Sequence, residues 1–284
     1  IGTFSQVNGI SSAVNNFFDP NNAHRVKSIP FLADYSWSVV IASLILTFCV
    51  AAVLIGGVKR IASVSQVIVP FMAILYFVVV IILILCNITA LPAAIKTIVI
   101  AAFTPKAVTG GAVGSMLVAM QKGVARGIFS NEAGLGSAPI AAAAAQTKEP
   151  VRQGLVGMTG TFIDTIIICS LTGLSLLVSG EWMAKGSTST RTQDTFTGVF
   201  GPVGGIILTL CLVLFATTTI LGWSYYGERC FEFLFGVKHI NLYRTFFVFM
   251  VGLGGFLKLD LVWVIADIVN GLMALPNPVS YTHL

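Results

Sequence analysis

The chain has 284 residues, of which 56% are hydrophobic and only 10% are charged. A soluble domain carries about 25% charged residues, so this composition excludes an ordinary soluble enzyme or binding module and predicts an all-α polytopic membrane protein. The formal net charge is +5, but the basic residues are scattered at segment ends, which is typical of loops at a lipid surface and does not indicate a nucleic-acid partner.

The first third of the chain predicts one incomplete helix and two membrane spans. Residues 1–18 have the pattern of a helix end with a polar stripe that includes Gln6. Because the sequence starts inside this pattern without an initiator Met, we interpret it as part of a longer protein. Residues 35–58 and 67–94 are each long enough to span, since about 20 residues suffice. Residues 61–66 predict a short amphipathic link between these two spans.

A broken membrane helix is predicted over residues 112–146. Four polar residues lie at its centre, next to several glycines: Arg126, Ser130, Asn131 and Glu132. Backbone that leaves a helix is tolerated at membrane depth only where protein buries it or where it lines a cavity. Small residues also serve simple helix packing, but a polar, Gly/Pro-interrupted segment is the best sequence indicator of a transporter's binding site. Ser137 and Pro139 predict the restart of the helix, as N-cap and first-turn residues.

The rest of the chain predicts four more spans, at residues 154–178, 203–226, 245–257 and 261–275. Polar stretches at residues 147–153, 179–197 and 228–244 separate them. With the broken segment counted once, the pattern predicts roughly seven complete crossings and a partial first one.

Three consecutive threonines, Thr217, Thr218 and Thr219, lie within one uncharged span. The simplest interpretation is that each hydroxyl donates to the carbonyl four residues earlier. Three successive residues cannot all face one side, however, so at least one faces a partner helix or a cavity, where hydroxyl oxygens suit a hard cation. Trp223 lies one turn beyond Thr219 on the same face, either as the wall of a pocket or as a packing residue.

Two isolated carboxylates, Asp164 and Asp267, lie inside predicted spans, where each costs about 2.5–3.5 kcal/mol. Lys122 and Arg126 are the nearby cations of the broken segment, and Glu132 is a further anion. We therefore predict a buried charge network of these five residues. Whether it is structural or relays a coupling ion stays open.

Enzyme chemistry is poorly supported by this sequence. It has no phosphate-binding loop and no histidine within a span that could activate a serine. The five cysteines are far apart and form no C-x-x-C pair, so neither a disulfide framework nor a zinc site is indicated. A channel would need a ring of pore-lining residues from several subunits, and one asymmetric polar cluster favours a single-site carrier.

The central motif, Gly-Val-Ala-Arg-Gly-Ile-Phe-Ser-Asn-Glu-Ala-Gly-Leu-Gly-Ser-Ala-Pro at residues 123–139, resembles the alanine/glycine:cation symporter family, the sodium:alanine symporters. Further similar stretches are Pro-Val-Arg-Gln-Gly-Leu-Val-Gly at residues 150–157, Ile-Leu-Gly-Trp-Ser-Tyr-Tyr-Gly-Glu-Arg-Cys at residues 220–230 and Asn-Gly-Leu-Met-Ala-Leu-Pro-Asn at residues 270–277. The resemblance covers nearly the whole chain.

The resemblance implies a leucine-transporter-like bundle of two inverted five-helix repeats, truncated at the N-terminus so that core helices 3–10 remain. Residues 1–94 would be the remainder of the first repeat and residues 95–275 the second. Residues 276–284 are interpreted as a tail, because the sequence from Pro278 onward does not continue as an apolar family C-terminus; whether the tail reflects truncation or non-native sequence stays open.

The resemblance also implies the site residues. The substrate-binding residues would be Gln6, Phe129, Ser130, Asn131 and Trp223. Thr218 and Thr219 would bind sodium together with ligands from the missing first helix. Residues 2–6 depart from the usual family motif, so Gln6 rests mainly on its position, and Thr217 stands where an aromatic residue is usual.

The function implied is a secondary symporter in the cell membrane that imports alanine or glycine with sodium by alternating access. It needs no cofactor besides the co-transported sodium ion, and its partners are the amino acid, sodium and the bilayer. Two alternatives stay open. One is a carrier of a larger or D-amino acid, or one coupled to protons through Asp164 or Glu132. The other is a non-transporting membrane fragment.

Overall fold

A computed structural model describes residues 2–26, 32, 34–103, 112–132, 134–183 and 191–276. These residues form twelve α-helices: α1 Gly2–Phe18, α2 Trp37–Ile55, α3 Gly57–Cys86, α4 Leu91–Phe103, α5 Ala112–Asn131, α6 Ala138–Ala142, α7 Pro150–Thr161, α8 Ser170–Ser179, α9 Arg191–Phe200, α10 Pro202–Phe235, α11 Ile240–Gly254 and α12 Leu259–Ala274. A π-helical segment, Phe162–Cys169, joins α7 to α8 without a break. The all-helical prediction is confirmed, whereas the inverted repeats stay a prediction. The predicted tail falls, from residue 277 onward, outside the described residues.

Four of the described helical stretches are long and apolar enough to cross a bilayer: Trp37–Ile55, Gly57–Cys86, Pro150–Ser179 and Pro202–Phe235. Large apolar side chains stand exposed on their outer faces, as Phe48 does with 74% of its surface accessible. Lipid is as apolar as such side chains, so these faces fit a hydrocarbon surrounding. The fold is therefore that of a membrane protein, and the full count of seven crossings stays a prediction.

The predicted amphipathic link at residues 61–66 is wrong, because α3 already begins at Gly57 and runs through it. The connection between the two helices lies earlier in the chain than predicted, directly after α2 ends at Ile55. Gly57 has a φ of +67°, a left-handed backbone conformation that glycine adopts at little cost. Lys59 and Arg60 thus belong to the first turns of a helix, not to a connection.

The described chain divides into two compact units. The first unit comprises Ile1–Val79 and Ala184–Ala266, and the second comprises Val80–Met183 and Asp267–Leu284. This division follows spatial packing and does not test the predicted repeat boundaries at residues 94 and 275.

The first unit is built around α1, which packs against α2, α10 and α11. Its core contains Val7, Val50 and Ile220, all fully buried. Small and polar residues let these helices approach closely. Gly254 lies against Val7, and the hydroxyls of Ser11 and Ser43 are 3.2 Å apart, which links α1 to α2. Such contacts are what hold helices together where the hydrophobic effect is weak.

The connection between α1 and α2 is organised by one buried carboxylate, Asp19. Its oxygens accept hydrogen bonds from the hydroxyl of Ser36 at 2.5 Å and from the backbone amides of Ala23 and His24 at 2.8 and 3.0 Å. These hydrogen bonds, that of Ser36 above all, hold the pKa of Asp19 below its ordinary value of 3.8. Ser36 in turn caps the N-terminus of α2, because its hydroxyl accepts from the amide of Ser38.

The second unit contains α4, α5, α6 and the continuous helix from α7 through the π-helical segment to α8. Within it α4 packs against α8, and the end of α5 lies beside the π-helical segment. This last contact positions the candidate site described below.

Candidate functional site

The predicted break lies between α5 and α6, in the second unit. Helix α5 continues through Gly123 and Gly127 and ends at Asn131, so neither glycine interrupts it. The backbone then turns through left-handed conformations at Glu132, Gly134 and Gly136, with φ values of +53°, +73° and +76°. Helix α6 restarts at Ala138 but has only five residues, which is shorter than the second half that the sequence predicts. Helical structure is thus interrupted between Asn131 and Ala138, and a broken membrane helix over the whole of residues 112–146 stays a prediction.

Ser137 and Glu132 join the two sides of the break. The Ser137 hydroxyl donates to the Glu132 carboxylate at 2.6 Å, and Ser137 is only 1% exposed. The prediction that Ser137 caps α6 through its side chain is wrong. Its backbone has α-helical φ and ψ angles of −80° and −38°, whereas a capping side chain requires an extended backbone. Pro139 does occupy the first turn of α6, as predicted.

Ser130 and Asn131, the last two residues of α5, are held by the π-helical segment. The Ser130 hydroxyl donates to Asp164 at 2.6 Å. The Asn131 side-chain amide donates to the hydroxyl of Thr165 at 2.8 Å, and that hydroxyl donates back to the amide oxygen at 2.9 Å. Asn131 also donates to the carbonyl of Gly127 at 3.2 Å. Two adjacent candidate substrate residues therefore meet two adjacent residues of a π-helix, a rare element that often marks functional sites.

Of the predicted charge network, the described contacts include one ion pair. Arg126 and Asp267 form an ion pair at 3.4 Å, with their side chains 36% and 40% exposed, so this pair is not buried among the described residues. Asp164 and Glu132 instead accept hydrogen bonds from serines. Lys122 lines a cavity of about 490 Å³ together with Asp267 and with Gly134 of the break. A single network of all five residues stays a prediction.

The remaining candidate substrate residues are divided between the units. Phe129 is half-buried in α5, in the second unit. Gln6 and Trp223 belong to the first unit. The Trp223 ring lies against Gly2, where an added Cβ would come within 2.7 Å of it. Gln6 is four residues beyond Gly2 on α1 and hence on the same helix face. Trp223 also packs edge-to-face against Tyr226, with ring centroids 5.7 Å apart.

The three threonines of α10 all bond to their own helix. Thr217 donates to the carbonyl of Val213 at 2.6 Å, and Thr219 to that of Phe215 at 3.0 Å. Thr218 lies 3.1 Å from the carbonyl of Leu214 and 2.9 Å from that of Phe215. This confirms the simplest interpretation of the sequence, in which each threonine hydroxyl donates to a carbonyl of its own helix. Each oxygen keeps lone pairs that remain able to accept or to bind a cation.

Sequence reasoning missed two features. One is Thr165, which contacts Asn131 and which its position next to Asp164 within an apolar span could have indicated. The second is a buried ion cluster within residues 228–244, a stretch whose sequence predicts only a polar connection. Glu228 is 3% exposed, and its carboxylate accepts two hydrogen bonds from Arg244 on α11, both at 2.8 Å. Arg229 adds a contact to Glu228 at 3.2 Å, and it pairs with Glu232 at 2.6 Å.

Comparison with known proteins places these residues in a family. The profile of the sodium:alanine symporter family matches residues 1–284. An uncharacterized transporter of Haemophilus influenzae is 52% identical over 100% of this chain and 59% of its own length. The sodium/alanine symporter AgcS of Methanococcus maripaludis is 44% identical over 98% of this chain and 57% of its own length. A Bacillus subtilis protein named probable sodium/glutamine symporter GlnT is 38% identical over 89% of this chain and 53% of its own length. The chain thus spans little more than half the length of the curated relatives it matches.

Proposed function

Because this chain belongs to the sodium:alanine symporter family, a family of transporters and not of enzymes, we propose that it forms part of a secondary symporter for small neutral amino acids. In this proposal alanine or glycine enters the cell together with sodium, by alternating access, across the cell membrane. The observation that carries the proposal is the helix break at residues 132–137, edged by Ser130 and Asn131. It lies in the same stretch on which the resemblance rests.

The proposed substrate residues are Phe129, Ser130 and Asn131 in the second unit, and Gln6 and Trp223 in the first. A free amino acid carries one positive and one negative group, and half-helix ends at a break carry partial charges that complement both. The aromatic side chain of Phe129, next to Ser130 in α5, would limit the space for the substrate's side chain. Excluding one methylene is worth only about 1–3 kcal/mol, so the preference for alanine and glycine is expected to be partial.

The proposed sodium ligands in this chain are the hydroxyl oxygens of Thr218 and Thr219. Their protons point to carbonyls of α10, which leaves oxygen lone pairs for a hard cation. Substrate and sodium that bind the closed state more tightly than the open one drive closure by that difference in affinity.

A larger substrate is the second candidate, and the relative named as a sodium/glutamine symporter favours it. Proton coupling through Asp164 or Glu132 is the other variation to be tested. The first alternative changes the transported amino acid and the second changes the coupling ion. In both, the proposed substrate site stays at the helix break.

The test is initial-rate uptake of labelled alanine into proteoliposomes that contain the full-length protein. Imposed sodium and proton gradients are applied separately, with unlabelled glycine, D-alanine and glutamine as competitors. We expect uptake that follows the sodium gradient and competition by glycine. If glutamine competes more strongly than glycine, the preferred substrate is a larger amino acid. If uptake follows only the proton gradient, the coupling ion is the proton. No alanine uptake under either gradient contradicts the proposal.

A further inference from the structure

The contact between α5 and the π-helical segment defines which atoms the end of α5 can offer to a ligand. Its two hydrogen-bonded pairs, Ser130 with Asp164 and Asn131 with Thr165, lie side by side. Asp164 places a carboxylate beside Ser130, the residue before the last one of α5.

The π-helix explains how two adjacent residues can hold two adjacent partners. Successive side chains of an α-helix diverge by about 100°. A π-helix closes its hydrogen bonds from i to i+5, so each turn is wider and successive side chains diverge less. Asp164 and Thr165 can therefore both face the end of α5.

The side chains of Ser130 and Asn131 use all their hydrogen-bond donors in contacts within the protein. The single hydroxyl proton of Ser130 goes to Asp164. The two amide hydrogens of Asn131 go to Thr165 and to the carbonyl of Gly127. What remains are acceptors: the lone pairs of the Ser130 oxygen and the second lone pair of the Asn131 amide oxygen. The last backbone carbonyls of α5 lie at the negative end of the helix dipole and are further hydrogen-bond acceptors for a positively charged group.

We propose that Asp164 and Thr165 are positioning residues that fix Ser130 and Asn131 as hydrogen-bond acceptors for a positively charged partner. That partner is the ammonium group of the transported amino acid or the sodium ion. The inference rests on the proposed function and assigns the side of the substrate that the end of α5 recognises. Asp164 acts through its acceptor oxygen, not through a proton that it carries across the membrane.

The first experiment removes the Thr165 hydroxyl in the full-length protein in proteoliposomes. Thr165→Val keeps the shape of the side chain, and Thr165→Ser keeps the hydroxyl. Thr159→Val is the matched control, because that hydroxyl lies earlier on the same continuous helix and donates to its own carbonyl at Leu155. Alanine uptake is measured against alanine at saturating sodium, and against sodium at saturating alanine.

We expect Thr165→Val to raise a half-saturating concentration about tenfold with little change in maximal rate, because Asn131 loses both hydrogen bonds to the Thr165 hydroxyl and its amide oxygen is no longer held toward the charged partner. Thr165→Ser should restore the wild-type value and Thr159→Val should match it. A rise in the alanine KM at saturating sodium identifies the ammonium group as the partner. A rise only in the half-saturating sodium concentration identifies sodium.

The second experiment separates the acceptor role of Asp164 from its charge. Asp164→Asn keeps an oxygen that can accept from Ser130, and Asp164→Ala removes it. We expect Asp164→Asn to keep the wild-type half-saturating concentrations and Asp164→Ala to raise one of them about tenfold. If Asp164→Ala does not reach the membrane, the inference is still tested by Asp164→Asn and by the comparison of Thr165→Val with Thr165→Ser.

Two results overturn this inference while the proposed function stands. One is a transporting wild type in which Thr165→Val behaves like Thr159→Val. The other is an Asp164→Asn variant that loses sodium-driven uptake, which would show that the charge itself is needed. A wild type that takes up no alanine overturns the proposed function and this inference together.

Discussion

At the scale of single residues, the backbone of Glu132 is the least expected feature of the break. Glu132 is one of two non-glycine residues described with a positive φ, here +53°. It follows α5 directly, a position where glycine is preferred because it has no Cβ to clash. A side chain is nevertheless useful there, because the Glu132 carboxylate accepts from Ser137 across the break.

We predict that substitutions at Glu132 separate backbone strain from the hydrogen bond. Glu132→Gln keeps an acceptor for Ser137 and should match the wild type. Glu132→Gly loses the bond but relieves strain, whereas Glu132→Ala loses the bond and keeps the strain, so glycine should be more stable than alanine by about 1 kcal/mol. Thermal unfolding in detergent measures this order. An alanine variant as stable as the glycine variant would contradict it.

Asp19 should make the connection between α1 and α2 sensitive to acid. Its pKa is lowered in the folded protein, chiefly by the Ser36 hydroxyl, so the carboxylate stabilises the fold at pH values above its unfolded pKa of about 3.9. That contribution is lost as the pH falls below this value, through the folded pKa. Thermal unfolding between pH 6 and pH 3 should therefore show a stability gap between wild type and Asp19→Asn that closes on acidification.

Asp34→Asn provides the control for Asp19, because Asp34 is exposed in the same connection. It should leave both the stability and its pH dependence close to wild type. A gap between wild type and Asp19→Asn that is the same at pH 6 and pH 3 would show that the ionised carboxylate is not what stabilises the connection.

At the scale of elements, α10 carries both the candidate sodium ligands and Glu228, whose ion pair with Arg244 links it to α11. Thr217 lines a cavity of about 740 Å³ whose other lining residues are mostly apolar, such as Ile10, Leu46 and Leu221. We predict that Thr218→Val or Thr219→Val raises the sodium concentration for half-maximal alanine uptake about tenfold, since an oxygen ligand is lost. Thr217→Val serves as the control with near wild-type sodium dependence. Equal effects of all three would indicate a helix-packing role.

The Glu228–Arg244 pair ties α10 to α11. Glu228 is 3% exposed but the Arg244 side chain is 23% exposed, so losing the carboxylate charge should cost less than the about 3–5 kcal/mol typical of fully buried pairs. We predict that Glu228→Gln strongly lowers the unfolding temperature in detergent. The Glu228→Gln/Arg244→Met double variant should recover part of the loss, because two well-packed neutral groups replace a broken ion pair.

Glu232→Gln is the matched control on the same helix. Its carboxylate is 26% exposed and pairs with Arg229 three residues earlier, and exposed pairs of this kind are worth about 0.5 kcal/mol. If Glu232→Gln and Glu228→Gln lower the unfolding temperature equally, burial is not what makes the Glu228 pair important.

The elements show what hydropathy can and cannot predict. The helical spans and the break were predictable, because apolar length and the run of glycines around polar residues are local properties of the sequence. Helix ends were not. Residues 228–235 look like a polar connection but continue α10, where the Glu228 carboxylate is paired with Arg244 of α11, a partner 16 residues away that no local pattern reveals.

The site follows the same rule. The polar residues at the break were identifiable, since charges inside a span are costly and tend to be functional. Their partners were not, because the pairs of Ser130 with Asp164 and of Asn131 with Thr165 join residues 34 positions apart. The role of Ser137 was misjudged for a related reason, since an N-cap depends on backbone angles that residue type alone does not determine.

At the scale of the whole molecule, the central proposal is that the transported amino acid is bound at the end of α5 and that its uptake is coupled to sodium. The chain spans little more than half of its curated relatives, so transport itself must be measured on the full-length protein. The first unit carries the threonines and Trp223, and the second carries the break. Both must contribute if the proposed residues act in one cycle.

The most direct measurement is sodium-gradient-driven uptake of labelled alanine by wild type, Asn131→Ala and Asn87→Ala in proteoliposomes. Asn87 is the matched control, because its side-chain amide donates to the carbonyl of Leu83, four residues earlier, just as Asn131 donates to that of Gly127. The account predicts sodium-dependent uptake in wild type and Asn87→Ala, and a loss of at least about tenfold in alanine affinity in Asn131→Ala. Equal uptake by all three proteins would contradict it.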